Sequence, residues 1–170
     1  MNSTQISSIL HSTIESSFWG VCASDKLPKQ INKYPVGFVM NVDSSDQPGS
    51  HWVAVYIDRH QQGNYFDSYG YKPSVSVLSH FLNANCRSWQ CNNKQIQGYL
   101  SSVCGHYCIY FLIQRAKGVS RGEIGAKFVE RYTENDFLLT EWINDNFELT
   151  TDTYNADFIL NQVCRALFSQ

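Results

Sequence analysis

Residues 101–113, "SSVCGHYCIYFLI", are a long apolar run that opens on a cysteine followed by a glycine. From Cys104 to Ala116 the apolar density and the length favour a buried helix that ends at Gly118. A thiolate in the first turn of a helix is stabilised by the helix dipole, and a neighbouring histidinium lowers the thiol pKa further. Free cysteine is also one of the most buried residue types. The segment by itself therefore leaves Cys104 open as a packed thiol or a nucleophile, whereas packing is the simpler interpretation of Cys108.

Small residues surround this cysteine on both sides. Ser101 or Ser102 is positioned to cap the predicted helix. Gly105 carries no side chain, which leaves room for a substrate backbone to approach.

The chain as a whole has the composition of one globular domain. Its 170 residues are 43% hydrophobic and 14% aromatic, which suits a single domain over residues 1–170 with a sizeable core. The formal net charge of −2 gives no reason to expect nucleic-acid or anionic-membrane binding. No apolar run approaches the length of a membrane span, and the polar N-terminus does not resemble a signal peptide. We therefore expect an intracellular protein that is not secreted.

The six cysteines are too sparse for a disulfide-dense scaffold, so we interpret them as thiols in a reducing compartment. Paired metal ligands are also missing from the pattern, because the sequence contains no CxxC and no HxxxH. We expect no bound metal.

The remaining periodicities predict an α+β fold. Strands are expected over 34–43, 51–59, 64–70 and 88–97, and helices over 4–17, 75–85, 104–116, 121–131, 134–146 and 155–168. Residues 20–28 are expected to form a turn-rich connection. The strands cluster ahead of the buried helix and do not alternate with helices, which favours α+β over βαβ.

A thiolate nucleophile needs a base, a group that orients the base, and oxyanion donors. His106 lies two residues past Cys104 on the same helix, about 200° around it, and so cannot face that cysteine. His51 stands where a glycine-containing loop enters a buried strand, from which a side chain can face a cleft. A purely structural histidine is equally compatible with that position. The other three histidines are expected at the surface: His11, His60 and His80.

A carboxylate and an amide complete the set of candidates. If the second and third predicted strands pair as a hairpin, Asp67 lies near His51 and can accept its N–H. "DSYG" is equally typical of an aspartate that caps a turn. Gln97 offers an amide donor seven residues before Cys104, at the end of a predicted strand, although a glutamine alone indicates little.

Together, "GSHW", "YFDSYGY" and "QIQGYLSSVCGHYC", in this order, resemble the adenovirus protease (adenain) family of cysteine peptidases. They look especially like its members encoded by Polinton/Maverick-type DNA elements and related viruses. More distantly, they are similar to the SUMO- and ubiquitin-like-protein proteases. The resemblance covers roughly residues 18–115. It implies a papain-like core with His–Asp–Cys order, in which helices flank a central mixed β-sheet and the nucleophile begins the buried helix.

Carried over to this sequence, the resemblance implies that Cys104 is the nucleophile, His51 the general base and Asp67 the orienting carboxylate. Gln97 and the backbone N–H of Cys104 would form the oxyanion hole. Trp52 would support the site from its place directly after the histidine, with Gly105 beside the nucleophile. Asp67 stands where adenain itself has glutamate, which suits the same role.

The resemblance also implies a substrate class. It is a viral or transposon capsid protein or other precursor, cut after glycine in an extended segment. The chain would then work as a monomer in the host nucleus, the host cytoplasm or the virion. The seven-residue step from Gln97 to Cys104 favours the adenain type over the SUMO proteases.

No cofactor is expected to be required. Adenain is basic and is stimulated by DNA, whereas this chain is slightly acidic, which argues against a DNA cofactor. Adenain is also activated by a peptide that forms a disulfide with a cysteine eighteen residues before the nucleophile. That position is Cys86 here, for which a plain thiol is the simpler interpretation.

Two other functions remain open. One is an isopeptidase that removes SUMO or a ubiquitin-like protein with the same triad. The other is a catalytically silent interaction domain that keeps only the core.

Overall fold

The computed structural model describes residues 1–148, so the helix predicted over 155–168 lies outside the described residues. The helices are α1 (Ser3–Ile14), α2 (Ser76–Asn85), α3 (Cys104–Ala116), α4 (Arg121–Ala126) and α5 (Tyr132–Asn146). The strands are β1 (Phe18–Ala23), β2 (Val36–Asn41), β3 (Trp52–Ile57), β4 (Gln62–Phe66) and β5 (Ser88–Cys91).

The five strands form one mixed sheet in the order β1-β2-β3-β4-β5. The two outer pairs, β1–β2 and β4–β5, are parallel, while β2–β3 and β3–β4 are antiparallel. The predicted α+β class, with a central mixed sheet flanked by helices, is therefore confirmed.

The sheet is buried on both faces, because successive side chains of a strand point to opposite faces and those of the central strands are apolar at nearly every position. Val39 of β2 and Ala54 of β3 pack into the core shared with α1, α3, α4 and α5. Phe38 and Val55, one residue away in each strand, pack into the second core with α2. The continuous apolar runs of β2 and β3 follow from this double burial.

Helix α3 is the centre of the first core, since nine of its 13 residues are buried. Its predicted bounds, 104–116, agree with the structure. The capping prediction was wrong, because the N-cap is Val103 and no side chain caps the helix.

Gly105 has a different use from the one expected. A Cβ at Gly105 would lie 3.1 Å from Ile6 Cδ1 and 3.5 Å from Met1 Cβ. The space left by the missing side chain is therefore filled by the N-terminal segment and α1, and not by a substrate backbone.

Several predicted bounds differ from the structure. The helix predicted over 4–17 ends at Ile14, and the one predicted over 121–131 ends at Ala126. Residues 18–23 form strand β1, although 20–28 were expected to be a connection. The strand predicted over 64–70 ends at Phe66, and the one over 88–97 ends at Cys91. Asp67 and Gln97 therefore lie on loops beyond their strands.

Candidate active site

Three of the predicted site residues meet at one end of the β3–β4 hairpin. His51 directly precedes β3, and Asp67 directly follows β4. The antiparallel register pairs Ala54 with Phe66, which brings the start of one strand beside the end of the other. His51 Nε2 lies 3.0 Å from Asp67 Oδ1. Cys104 reaches the same groove from the first turn of α3, close enough to His51 for the two side chains to shift each other's pKa.

The carboxylate of Asp67 is held by more than the histidine. Its Oδ1 also accepts the backbone N–H of Tyr69 at 2.8 Å, and its Oδ2 accepts the Tyr65 hydroxyl at 3.3 Å. Asn92 brackets the backbone of Asp67 by accepting its N–H at 2.9 Å and donating to its carbonyl. A carboxylate fixed in this way can orient an imidazole, which is the task of the third member of a triad.

The electrostatics of the pair favour a thiolate and an imidazolium. Burial lowers the pKa of His51, but hydrogen bonds to Asp67 and Cys104 outweigh it and raise this pKa to about 9. Burial raises the pKa of Cys104, but the hydrogen bond and charge of His51 bring it below its ordinary value. Since Nε2 of His51 is taken by Asp67, Nδ1 is the ring nitrogen left for the sulfur.

Two backbone groups also stabilise the thiolate. Hydrogen bonds from the main chain at Trp52 and Gly105 lower the pKa of Cys104 further. The side chain is largely enclosed, with 8% of the residue exposed. A sulfur that is enclosed but surrounded by donors is typical of a reactive cysteine.

Trp52 lies beside the nucleophile, as expected from its position after the histidine. Its Nε1 donates to the Met1 carbonyl at 3.3 Å. Its Cδ1 would be 3.5 Å from a Cβ on Gly105. The indole therefore packs between the N-terminal segment and the start of α3.

The Gln97 side chain is held by hydrogen bonds to two serines, Ser68 and Ser101. It is completely buried, and its Nε2 donates to the carbonyl and the hydroxyl of Ser101 at 2.9 and 3.0 Å. Its Oε1 accepts the Ser68 hydroxyl at 2.6 Å. An oxyanion role requires this amide to exchange its Ser101 partners for the substrate, and that role stays a prediction.

A groove of about 680 Å³ opens at the triad. His51, Trp52 and Cys104 line it together with Tyr69. The remaining lining comes from residues 1–3, residues 21–23 of β1, Asn41 at the end of β2, the polar loop between β2 and β3, and the two serines before α3, Ser101 and Ser102.

Tyr69 is a site residue that sequence reasoning missed. Its ring centroid lies 5.0 Å from that of His51, at an interplanar angle of 31°. Its hydroxyl lies 3.3 Å from Gln97 Nε2. The signal was present in "YFDSYGY", but a tyrosine in a turn has no pattern that distinguishes covering a histidine from ordinary exposure.

In the part of the chain that the structure describes, the other histidines lie apart from the triad, and so does Cys108. His11, His60 and His80 are exposed, as predicted. His106 is buried, and burial lowers its pKa to about 3. Cys108 is completely buried in the core, in agreement with the packing interpretation.

Cys86 packs in the second core between Gly63 and Trp89, and burial raises its pKa to about 11. Its disulfide with an activating peptide remains an untested expectation. Among residues 1–148, no group of three or more potential metal ligands comes together. No helix in the same range is long and apolar enough to cross a membrane.

Compared by sequence, the chain matches no protein-family model and no curated protein. Compared by structure, it is similar to the pS273R protease of ASFV, with a TM-score of 0.58 and 18% identity over 80% of this chain. The chain spans 64% of that protease's length. It also aligns with ChlaDub1 from Chlamydia trachomatis, with a TM-score of 0.48 and 21% identity over 65% of this chain and 59% of the other. The chain thus has the α+β fold of the papain-like cysteine proteases.

Proposed function

We propose that the protein is a cysteine endopeptidase in which Cys104, His51 and Asp67 form the catalytic triad. The observation that carries this proposal is that His51 and Cys104 line one open groove, with His51 Nε2 3.0 Å from Asp67 Oδ1 and with the pKa values of His51 and Cys104 moved toward the ion pair. Perturbed pKa values in a cleft are typical of functional sites. A silent interaction domain has no use for a buried carboxylate that aligns the histidine.

The proposed chemistry is a two-step acyl transfer. The Cys104 sulfur attacks the scissile carbonyl carbon, and the His51 imidazolium gives its proton to the departing amine as the C–N bond breaks. Water then attacks the resulting thioester, His51 accepts a water proton, and the acid product leaves as the C–S bond breaks and the thiolate–imidazolium pair is restored. Asp67 keeps the imidazole aligned through both steps.

We propose an adenain-type substrate, namely a capsid or other precursor protein of a virus or transposon, cut at a glycine-containing segment. The seven-residue step from Gln97 to Cys104 supports this choice over a SUMO protease. The proposed enzyme acts inside the cell or virion and needs no cofactor.

Digestion of a proteome-derived peptide library, read by mass spectrometry, tests the activity. We expect the full chain to cut at recurring sites, Cys104→Ala to cut none, and Cys86→Ala, which removes a thiol that does not line the groove, to behave like the wild type. Persistent cleavage by Cys104→Ala would end the proposal. Co-expression with candidate capsid precursors then identifies the substrate by products that depend on Cys104.

Aminomethylcoumarin conjugates of ubiquitin and SUMO separate the two types of peptidase. We expect slow or no release of the fluorophore. Rapid turnover that disappears in Cys104→Ala would instead assign the chain to the isopeptidases, with the same triad.

A further inference from the structure

An exposed aromatic cluster adjoins the triad on the side of Tyr69. Tyr71 is 56% exposed, Tyr99 is 67% exposed and Leu100 is 81% exposed. The Tyr69 ring joins them, since its centroid lies 6.1 Å from that of Tyr71 and 5.8 Å from that of Tyr99, with Tyr99 stacked at an interplanar angle of 12°. These four residues are called the aromatic shelf below.

The shelf is built from two loops that are firmly joined. Ser68 accepts the backbone N–H of Ile96 at 2.9 Å, which ties the loop after β4 to the loop before α3. Gly70 has φ +74°, and a Cβ there would lie 2.7 Å from the Lys94 carbonyl carbon, so only glycine allows this close approach.

Tyr71 and Tyr99 come from different loops, and each packs its ring against Tyr69; the neighbouring Tyr99 side chain raises the pKa of Tyr71. Because the rings are already held in place, binding a ligand on them costs little side-chain entropy.

The shelf continues the groove. Tyr69 belongs to both, because it lines the groove with His51 and Cys104 and also stacks on Tyr99. A polypeptide that crosses the sulfur and runs past His51 reaches the exposed faces of Tyr71 and Tyr99 within a few residues. Contiguous exposed apolar surface marks interaction sites, and tyrosine combines apolar area with a polar edge that tolerates water when the site is empty.

We infer that the aromatic shelf is a specificity subsite that binds a bulky apolar or aromatic side chain of the substrate polypeptide, a few residues from the scissile bond. This inference rests on the proposed endopeptidase function. It adds a substrate requirement that the triad does not impose, since the triad acts on the peptide unit alone.

Other exposed apolar side chains do not share these features. Phe137 and Leu138 on α5 are 46% and 57% exposed, but neither lines the groove. Leu138 therefore provides a matched control of similar exposure away from the site.

The test compares two peptide pools, both fluorescein-labelled decapeptides with a central Gly-Gly. One pool carries Phe and the other Ala at each flanking position in turn. We expect the wild type and Leu138→Ser to cleave the best Phe peptide with a kcat/KM at least about tenfold above its Ala counterpart. We expect the double variant Tyr71→Ser/Tyr99→Ser to lose most of that preference. An unchanged preference in the double variant would overturn the inference.

A binding measurement separates failure of the shelf from failure of the proposed function. Fluorescence anisotropy records binding of the same pools to Cys104→Ala, with and without the two tyrosine substitutions. If the wild type cleaves no peptide, the proposed function fails. Tighter binding of the Phe pool that is lost in the tyrosine variant still supports the shelf, and equal binding of both pools overturns it.

Self-association is the remaining use of such a surface. Analytical ultracentrifugation of the wild type and the double variant detects it. A fall in self-association in the double variant, together with an unchanged Phe preference, would assign the surface to a second copy of the chain and overturn the inference.

Discussion

Within residues 1–148, the cysteines differ in their partners more than in their burial. Burial raises the pKa of Cys22 to about 12 and that of Cys86 to about 11, because neither thiolate has donors to replace water. Cys104 is also enclosed, yet its pKa falls below the ordinary value because His51 and two backbone groups donate to the sulfur. Selective reactivity at Cys104 follows from these donors.

Alkylation by iodoacetamide as a function of pH tests this difference. The thiolate at Cys104 forms as the pH rises through its lowered pKa, whereas the thiolate at Cys86 requires a pH near 11. At pH 7 we expect Cys104 to be labelled at least about 100-fold faster than Cys86, as measured by mass spectrometry of the peptides. Parallel rates that climb together from pH 8 to 11 would contradict the ion pair and favour a silent domain.

Peptidase activity should have its alkaline limit near pH 9. The imidazolium of His51 supplies the proton to the leaving amine, and its pKa is raised to about 9. Above that pH the proton is lost and kcat/KM should decline. A decline already centred near pH 6.5 would mean that His51 is not paired as the structure has it.

Asp67→Asn tests the orienting carboxylate. The hydrogen bond and charge of Asp67 raise the pKa of His51, so the amide should move the alkaline limit of activity to lower pH. We expect kcat/KM to fall by about 100-fold to 10,000-fold. Asp145→Asn, an exposed change on α5, is the control and should retain activity. Wild-type activity in Asp67→Asn would remove this residue from the triad.

At the scale of elements, the packing of α1 on α3 explains why a glycine follows the nucleophile. Ile6 is completely buried against α3, and its Cδ1 lies where a side chain at position 105 would begin. The start of α3 is thereby held against α1 and Trp52, which limits movement of the sulfur.

Gly105→Ala should overpack this contact. A Cβ at 3.1 Å from Ile6 Cδ1 is too close, and overpacking a core costs about 1–3 kcal/mol. Ile6→Val removes the opposing methyl group, so the double variant should be more stable than the sum of the single changes predicts. Urea unfolding of the four proteins measures this. Strict additivity would show that the helix end relaxes without contact between these positions.

The elements with a strong local pattern were predicted with nearly correct bounds. Helix α3 and strand β3 are buried along most of their length, and such burial requires a continuous apolar run that is easy to recognise in the sequence. Strand β1 was missed because "FWGVCA" contains a glycine and small residues, and its pairing to β2 is a long-range parallel contact with an irregular start. Gln97 was placed on a strand because polar residues in a loop and in an edge strand follow the same pattern.

At the scale of the molecule, α5 supports the segment that leads to the nucleophile. Asp136 accepts the backbone N–H of Gly98 at 3.0 Å, and the Tyr107 hydroxyl lies 2.8 Å from its Oδ1. Asn135 donates to the Ile96 carbonyl at 2.9 Å. Helix α5 follows α3 in the chain, yet it fixes the loop that precedes α3.

Asp136→Ala should affect stability and activity together. The change leaves the Gly98 N–H without its acceptor and the Tyr107 hydroxyl with the Ile96 carbonyl alone, at a cost of about 1–3 kcal/mol in the free energy of unfolding. Glu141→Ala, on an exposed position of the same helix, should cost less than about 0.5 kcal/mol. Thermal unfolding compares the two, and equal small losses would show that α5 does not support the loop.

The amino-acid sequence alone was enough for the helix at Cys104, the two apolar central strands and the order of His51, Asp67 and Cys104. These features can be predicted because hydrophobic periodicity and residue type are local properties of the chain. Three contacts of the site could be found only in the folded structure. These are the hydrogen bonds of Gln97 to Ser101, the packing of the Tyr69 ring against His51, and the packing of α1 against Gly105. Each joins segments that are distant in sequence or lie in loops. Such contacts depend on backbone direction and on which neighbour arrives to fill a space. The backbone direction and the packing neighbours are fixed only when the chain folds, and the hydrophobic periodicity of the sequence contains no information on either.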